Sequence, residues 1–197
     1  MIDVPFLILA SGSPRRRDLL TEAGYRFQVE NPGIEENEDT SLPIRQLTAE
    51  NARDKAAAVS ARFPEAVVVA ADTLVLLGDT VLSKPADRDE ATRMLASLNG
   101  RSHEVFTAVA LRHRRTEKAV DLTVTTAVHF KQLTPAEQAD YHARIDPMDK
   151  AGAYAAQDHG ALIIDRIEGS MSNVIGLPMD EVAAALHEHF GITPETR

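Results

Sequence analysis

Cysteine is missing from this 197-residue sequence. Its absence removes disulfides, thiolate nucleophiles and cysteine-held zinc or iron–sulfur centres in one step. Positive charge is also scarce: 21 Lys and Arg stand against 30 Asp and Glu, for a formal net charge of -9. A general binder of long nucleic acid needs a basic surface for counterion release, so that class is set aside. A small anionic ligand is not, because a few converging cations reverse the local field inside an acidic protein. No stretch approaches the ~20 consecutive apolar residues of a membrane span. Met1 to Ala10 has no basic leader and too short an apolar run for a signal peptide, which gives the expectation of a cytoplasmic protein.

Several familiar patterns are absent as well. There is no GxxxxGK[ST] phosphate loop, GxGxxG fingerprint, HExxH zinc pair or GxSxG elbow. The seven histidines are scattered. His187 and His189 suit the end of a helix dipole, and His103 reads as a structural residue at the start of a strand. With no activated Ser or Cys in view, attack by metal-activated water is the economical chemistry.

Hydrophobic residues make up 44% and charged residues 26%, an ordinary globular balance, and the length suits a single domain of two lobes. Phe6 to Ala10 reads as a strand buried on both faces. Ser13 as N-cap and Pro14 at the first helical position then open a helix that Gly24 ends. Pro32 to Pro43 is an acidic loop. A long helix over about 44–63 follows, with Leu47, Asn51, Lys55 and Ala58 on one face.

Ala66 to Leu77 is the most apolar stretch and turns at Gly78-Asp79 into Thr80–Leu82. Asp87 and Glu90 form a capping-box signal for a helix that stops at Gly100. Alternating segments around 105–111 and 120–128 predict an antiparallel hairpin. Thr134 and Glu137 open a helix to about Ile145. Asp146 to His159 reads as a loop, Ala161 to Ile167 as a strand, and Met179 to Phe190 as a final helix ended by Gly191. The order predicts an α/β fold, a mixed sheet with helices against it.

Four groups of residues carry chemistry. A helix N-terminus favours anions, so Arg15 and Arg16 in the first turn after Ser11-Gly12-Ser13 are unfavourable unless something negative sits there. Backbone N–H groups, serine hydroxyls and guanidinium forks would together cradle phosphate. The plain alternative is solvated arginines partnered by Asp18 and Glu22. Asp72, directly after an apolar run, must meet a cation, a metal or hydrogen-bond donors, or else hold a turn. Glu35-Glu36 supplies further carboxylates or is simply solvated. Lys55 and Lys84 either snorkel to the surface or help to neutralise a polyphosphate.

The segment Leu9 to Arg16, with Leu19-Leu20, resembles the signature of the Maf family. The likeness continues in order through Gly33 to Glu36, Lys55-Ala56, Ala71 to Thr73, Ser83 to Pro85, Met94 to Val109, Asp149 to Gln157 and Asn173 to Pro178. It implies a Maf-type, ITPase-like fold, an elongated mixed sheet in two lobes around a cleft. It also implies hydrolysis of nucleoside triphosphates between the α and β phosphates, with a divalent cation, Mg²⁺ or Mn²⁺, as cofactor.

By the same resemblance Asp72 activates water, with Glu36 and Lys84 beside it in the catalytic group. Glu36, or Glu35, and Asp72 face the metal. Arg15, Arg16, Lys55 and Lys84 hold phosphates, assisted by Ser11 or Ser13. Arg15, Thr73 and Gln157 match the positions that set base preference. The Ala-Gly-Ala-Tyr-x-x-Gln form resembles the branch acting on dTTP and UTP, and a Gln amide can satisfy both donor and acceptor on a thymine or uracil edge. A cytoplasmic homodimer is implied too. Two alternatives stand beside this: a pyrophosphatase for modified nucleotides such as 7-methyl-GTP, and a non-catalytic nucleotide sensor linked to cell division.

Overall fold

The computed structural model describes residues 6–39 and 41–195; the leaderless start read at Met1 to Pro5 lies outside them. The strands are β1 (Leu7–Ala10), β2 (Phe27–Glu30), β3 (Val67–Leu77), β4 (Thr80–Leu82), β5 (Ser102–His113), β6 (Lys118–Phe130) and β7 (Ile164–Glu168). The α-helices are α1 (Pro14–Glu22), α2 (Ile44–Arg62), α3 (Arg88–Leu98), α4 (Pro135–His142), α5 (Gly160–Ile163), α6 (Met171–Ile175) and α7 (Met179–Phe190). The strands form one seven-stranded sheet in the order β2-β1-β3-β5-β6-β7, with β4 paired to β3. The sheet is mixed, as the order of elements predicted: β1 is parallel to β2 and β3, whereas β3–β4 and β6–β7 are antiparallel.

The chain divides into two compact units. The first holds the residues up to Asp72, Thr107–Val124 and Gly176 onwards; the second holds Thr73–Phe106 and Thr125–Ile175. In the first unit, successive residues of each strand point to opposite faces of the sheet. One face gathers Leu7, Leu9, Val67, Val69, Val109 and Leu111 with Leu20 of α1 and Val182, Leu186 and Phe190 of α7. The other gathers Ile8, Ala10, Val68, Ala70, Ala108 and Ala110 under Ala52, Ala56 and Val59 of α2. The alternation in β5 is therefore large against small, with both faces buried. Alanines on the α2 side let that helix lie close to the strands, and each buried Leu or Val on the opposite face contributes about 1.5–3 kcal/mol.

In the second unit the β3–β4 hairpin turns at Gly78, where φ is +60°. Val75, Leu77 and Leu82 pack with Ala91, Leu95 and Leu98 of α3, and with Val128, Phe130, Tyr141 and Tyr154.

Some local expectations change. Ser13 occupies the N-cap place with extended backbone, but its side chain makes no capping bond. Asp87 accepts from the Glu90 N–H at 2.7 Å, while Glu90 reaches one residue further back than a capping box does and accepts from the Ala86 N–H at 2.6 Å. The Thr134–Glu137 box is complete, yet α4 ends at His142 rather than near Ile145. Ala161 to Ile163, read as strand, lie in the turn α5, and only Ile164 onwards is extended. The carbonyls of Ala161 and Ile163 both accept from Lys131, through its Nζ and its N–H. That anchors the turn before the strand begins.

Candidate active site

Asp72 lies within β3, between the fully buried Ala71 and the partly exposed Thr73, and is itself 5% exposed. A charge so placed needs partners on the spot. They come from α2, whose polar residues Asn51 and Lys55 stand four apart on the buried face. Lys55 Nζ donates to Asp72 Oδ1 at 2.8 Å, and Asn51 Nδ2 lies 3.4 Å from Asp72 Oδ2. Asp72 thus binds side chains in mid-strand rather than the backbone of a turn. Lys55 is 6% exposed and does not snorkel. Its ammonium also pairs with Glu36 Oε2 at 3.1 Å, so two carboxylates share one cationic atom. Of the pair Glu35-Glu36, it is Glu36 that makes this contact; both are exposed as residues.

The start of α1 adds cations. Its first turn has no acidic residue, and the Ser13 N–H is bound by Ser11 Oγ at 3.1 Å. The three arginines separate in role. Arg17 pairs with Asp18 at 3.0 Å on the surface, which is the arrangement the plain alternative foresaw for the whole cluster. Arg16 turns inward. Its Nε donates to the Gly176 carbonyl at 2.8 Å and its Nη1 to Ser11 Oγ at 3.3 Å.

Burial, the largest influence, lowers the Arg16 pKa; Asp72 opposes this, Arg15 adds to the lowering, and Glu36 opposes it. Arg16 therefore lies within the fields of Asp72, Arg15 and Glu36. The first unit brings Ser11, Ser13, Arg15, Arg16, Glu36, Lys55 and Asp72 into one electrostatic neighbourhood. Among the described residues, no group of three or more His, Asp and Glu side chains gathers as a metal cage.

The remaining candidates lie in the second unit. Thr73 follows Asp72 on β3 and is half-buried, and Lys84 is exposed after β4. The Ser83 carbonyl next to Lys84 accepts from the Gly152 N–H at 3.1 Å. Gly152 has φ of +71°, and a Cβ there would meet Val75 Cγ2 at 3.3 Å, so this close approach suits glycine. Gln157 is exposed and lines a pocket of about 310 Å³ with Ala156, His159, Gly160, Ala161, Ile164 and Met171. His103, the second residue of β5, is buried and bonded to Tyr154 Oη at 2.8 Å; burial, then His129, lowers its pKa to about 4.

Sequence reasoning gave Asn51 no role, and read Arg16 as a phosphate ligand or a solvated arginine without foreseeing its bond to the Gly176 carbonyl. The signal for Asn51 was available: a polar residue one helical turn from Lys55 on an otherwise apolar face. The Arg16–Gly176 bond had none, since it joins residues 160 apart in the chain.

A family model described as Maf-like protein matches residues 6–189. A protein of Akkermansia muciniphila named dTTP/UTP pyrophosphatase is 45% identical over 184 residues, covering 93% of this chain and 96% of the relative. A protein of Myxococcus xanthus with the same name is 45% identical over 184 residues, covering 93% and 92%. One of Desulforamulus reducens, also so named, is 42% identical over 186 residues, covering 94% and 97%. With the family match running through both units and these relatives aligned along nearly their whole length, the chain belongs to the Maf family.

Proposed function

We propose that this protein hydrolyses dTTP and UTP to the nucleoside monophosphate and pyrophosphate. The observation that carries the reading is the buried Asp72 held by Lys55 beside Glu36 and Arg16, and the names of the relatives support it. An ionised carboxylate fixed by an ammonium and an amide can take a proton from water as its oxygen attacks the α-phosphorus. The bond from that phosphorus to the bridging oxygen breaks, and pyrophosphate leaves with the electron pair. Arg15, Arg16 and Lys55 offset the charge that develops on the phosphates, and the N–H groups at the start of α1 face anions by their nature. From the resemblance, Lys84 joins the phosphate-binding group, and Thr73 and Gln157 contribute to base preference.

Glu36 and Asp72 suit a divalent cation. They are two hard carboxylate donors already gathered about one positive charge, and Mg²⁺ commonly takes one or two carboxylates and completes its shell with water and substrate phosphates. When bound, such an ion withdraws charge from the phosphate oxygens and acidifies water. We take the two units as one functional domain, working in the cytoplasm as a homodimer, as the resemblance implies.

The test is pyrophosphate release by purified protein across dTTP, UTP, CTP, the purine triphosphates, 7-methyl-GTP and pseudouridine triphosphate, with Mg²⁺ or Mn²⁺. The highest kcat/KM is expected for dTTP and UTP. A preference for 7-methyl-GTP would keep the chemistry and overturn the assignment of base, and nucleotide binding without turnover would favour the sensor.

A further inference from the structure

The loop that carries Glu36 has no regular secondary structure. Its segments are shaped locally by Asx turns: Asn31 Oδ1 accepts from the Gly33 N–H at 3.0 Å, Asn37 Oδ1 from the Asp39 N–H at 2.9 Å, and Asp39 Oδ1 from the Ser41 N–H at 3.0 Å. Such turns set the shape of a loop and leave its place on the protein open. Placement needs ties to something rigid. At the near end Arg62 of α2 donates to the Asn31 carbonyl at 2.7 Å. Beside Glu36 the tie is Asn51.

Asn51 is 4% exposed, and its one amide bonds the backbone of Asn37 in both directions. Its Nδ2 donates to the Asn37 carbonyl at 3.0 Å, and its Oδ1 accepts from the Asn37 N–H at 2.8 Å. A carboxamide is the side chain that can do both at once, as a neighbouring strand would. The same Nδ2 lies 3.4 Å from Asp72 Oδ2, while Lys55, one turn along α2, holds Asp72 Oδ1 and Glu36.

We propose that Asn51 is a positioning residue that fixes the Glu36 loop against α2 and, through the same amide, steadies Asp72. The two carboxylates then keep a constant relation about Lys55. Its consequence for turnover rests on the pyrophosphatase reading; the tethering of the loop does not.

The experiment combines hydrogen exchange with a double-mutant cycle on the full chain. In Asn51→Ala, the peptide covering residues 33–39 exchanges faster, while β1 and β3 exchange as in the wild type. For dTTP, kcat/KM falls roughly 10- to 100-fold, the usual range for residues supporting a catalytic site, and the loss falls mainly on kcat. Because much of the effect travels through the Glu36 loop, the same substitution in a Glu36→Gln background costs clearly less than in the wild type, about threefold, the part that remains being the contact with Asp72. Should Asn51→Ala fail to fold, Asn51→Leu serves, since it fills a similar volume, adds no charge beside Asp72 and makes none of the amide's contacts. Unchanged exchange at 33–39 would overturn the proposal, as would a loss of kcat/KM that is fully additive with Glu36→Gln. A wild type that releases no pyrophosphate would overturn the functional reading instead, and the exchange result would then decide the role of Asn51 alone.

Discussion

Take Lys55 away and the Asp72 carboxylate stays buried with the Asn51 amide at 3.4 Å. Removing one partner of a buried ion pair costs far more than the pair contributes, because the remaining charge stays out of water and has lost its hydrogen-bonded cation. For Lys55→Met we predict a loss of about 3–5 kcal/mol in urea unfolding at neutral pH. Adding Asp72→Asn to that variant should recover much of the loss, since an amide tolerates burial where a carboxylate does not. A Lys55→Met protein that unfolds at the wild-type urea midpoint would show that Asp72 is not confined as described. Glu36, exposed to solvent, has no such dependence and acts through its place on the loop.

At the scale of elements, segments with strong local signals were legible. The helix α7 spans Met179–Phe190 as its periodicity predicts, and Gly191 closes it at φ +68°. β2 was not legible: its four residues are all half-buried or exposed, and it exists because β1 offers it a parallel backbone ladder at Leu7–Ala10. α6, five residues long, is too short to show a period. A short apolar run such as Ala161 to Ile164 fits helix or strand equally well, and long-range bonds from Lys131 decide between them.

β5 carries its own liability. His103 is packed edge-on against Phe130 of β6 and against Tyr154, with centroids at 4.9 and 5.3 Å. Its folded pKa of about 4 lies below the ordinary value of 6.5, so the folded state holds it neutral while the unfolded chain takes up a proton. The stability tied to this group is fully present above pH 6.5 and is lost as pH falls from 6.5 towards 4, a change on the order of 3 kcal/mol. His103→Gln should flatten the stability profile across that window relative to the wild type. Profiles that run parallel would place the proton uptake elsewhere.

For the molecule as a whole, an acidic protein of net charge -9 carries Arg15, Arg16 and Lys55 in its first unit, and the proposed reaction uses them to hold the phosphates. The residue types of the site were legible because each is costly without a reason: arginines at a helix start, an acid in an apolar strand, a lysine on a buried face. Their mutual geometry was not, because it depends on contacts such as Lys55–Asp72 and Arg16–Gly176 that join distant parts of the chain. The residues by themselves did not distinguish Glu36 from Glu35, although the resemblance put Glu36 first; it is Glu36 that pairs with Lys55.

In the proposed reaction Asp72 drives water onto the α-phosphorus. The most direct test is product analysis of dTTP turnover by the wild type and by Asp72→Asn. The wild type should release monophosphate and pyrophosphate in equal amounts, and the variant should lose at least about 100-fold in kcat while still binding nucleotide. Release of orthophosphate and the nucleoside diphosphate would place the attack at the γ-phosphorus, and a variant as active as the wild type would remove Asp72 from the chemistry.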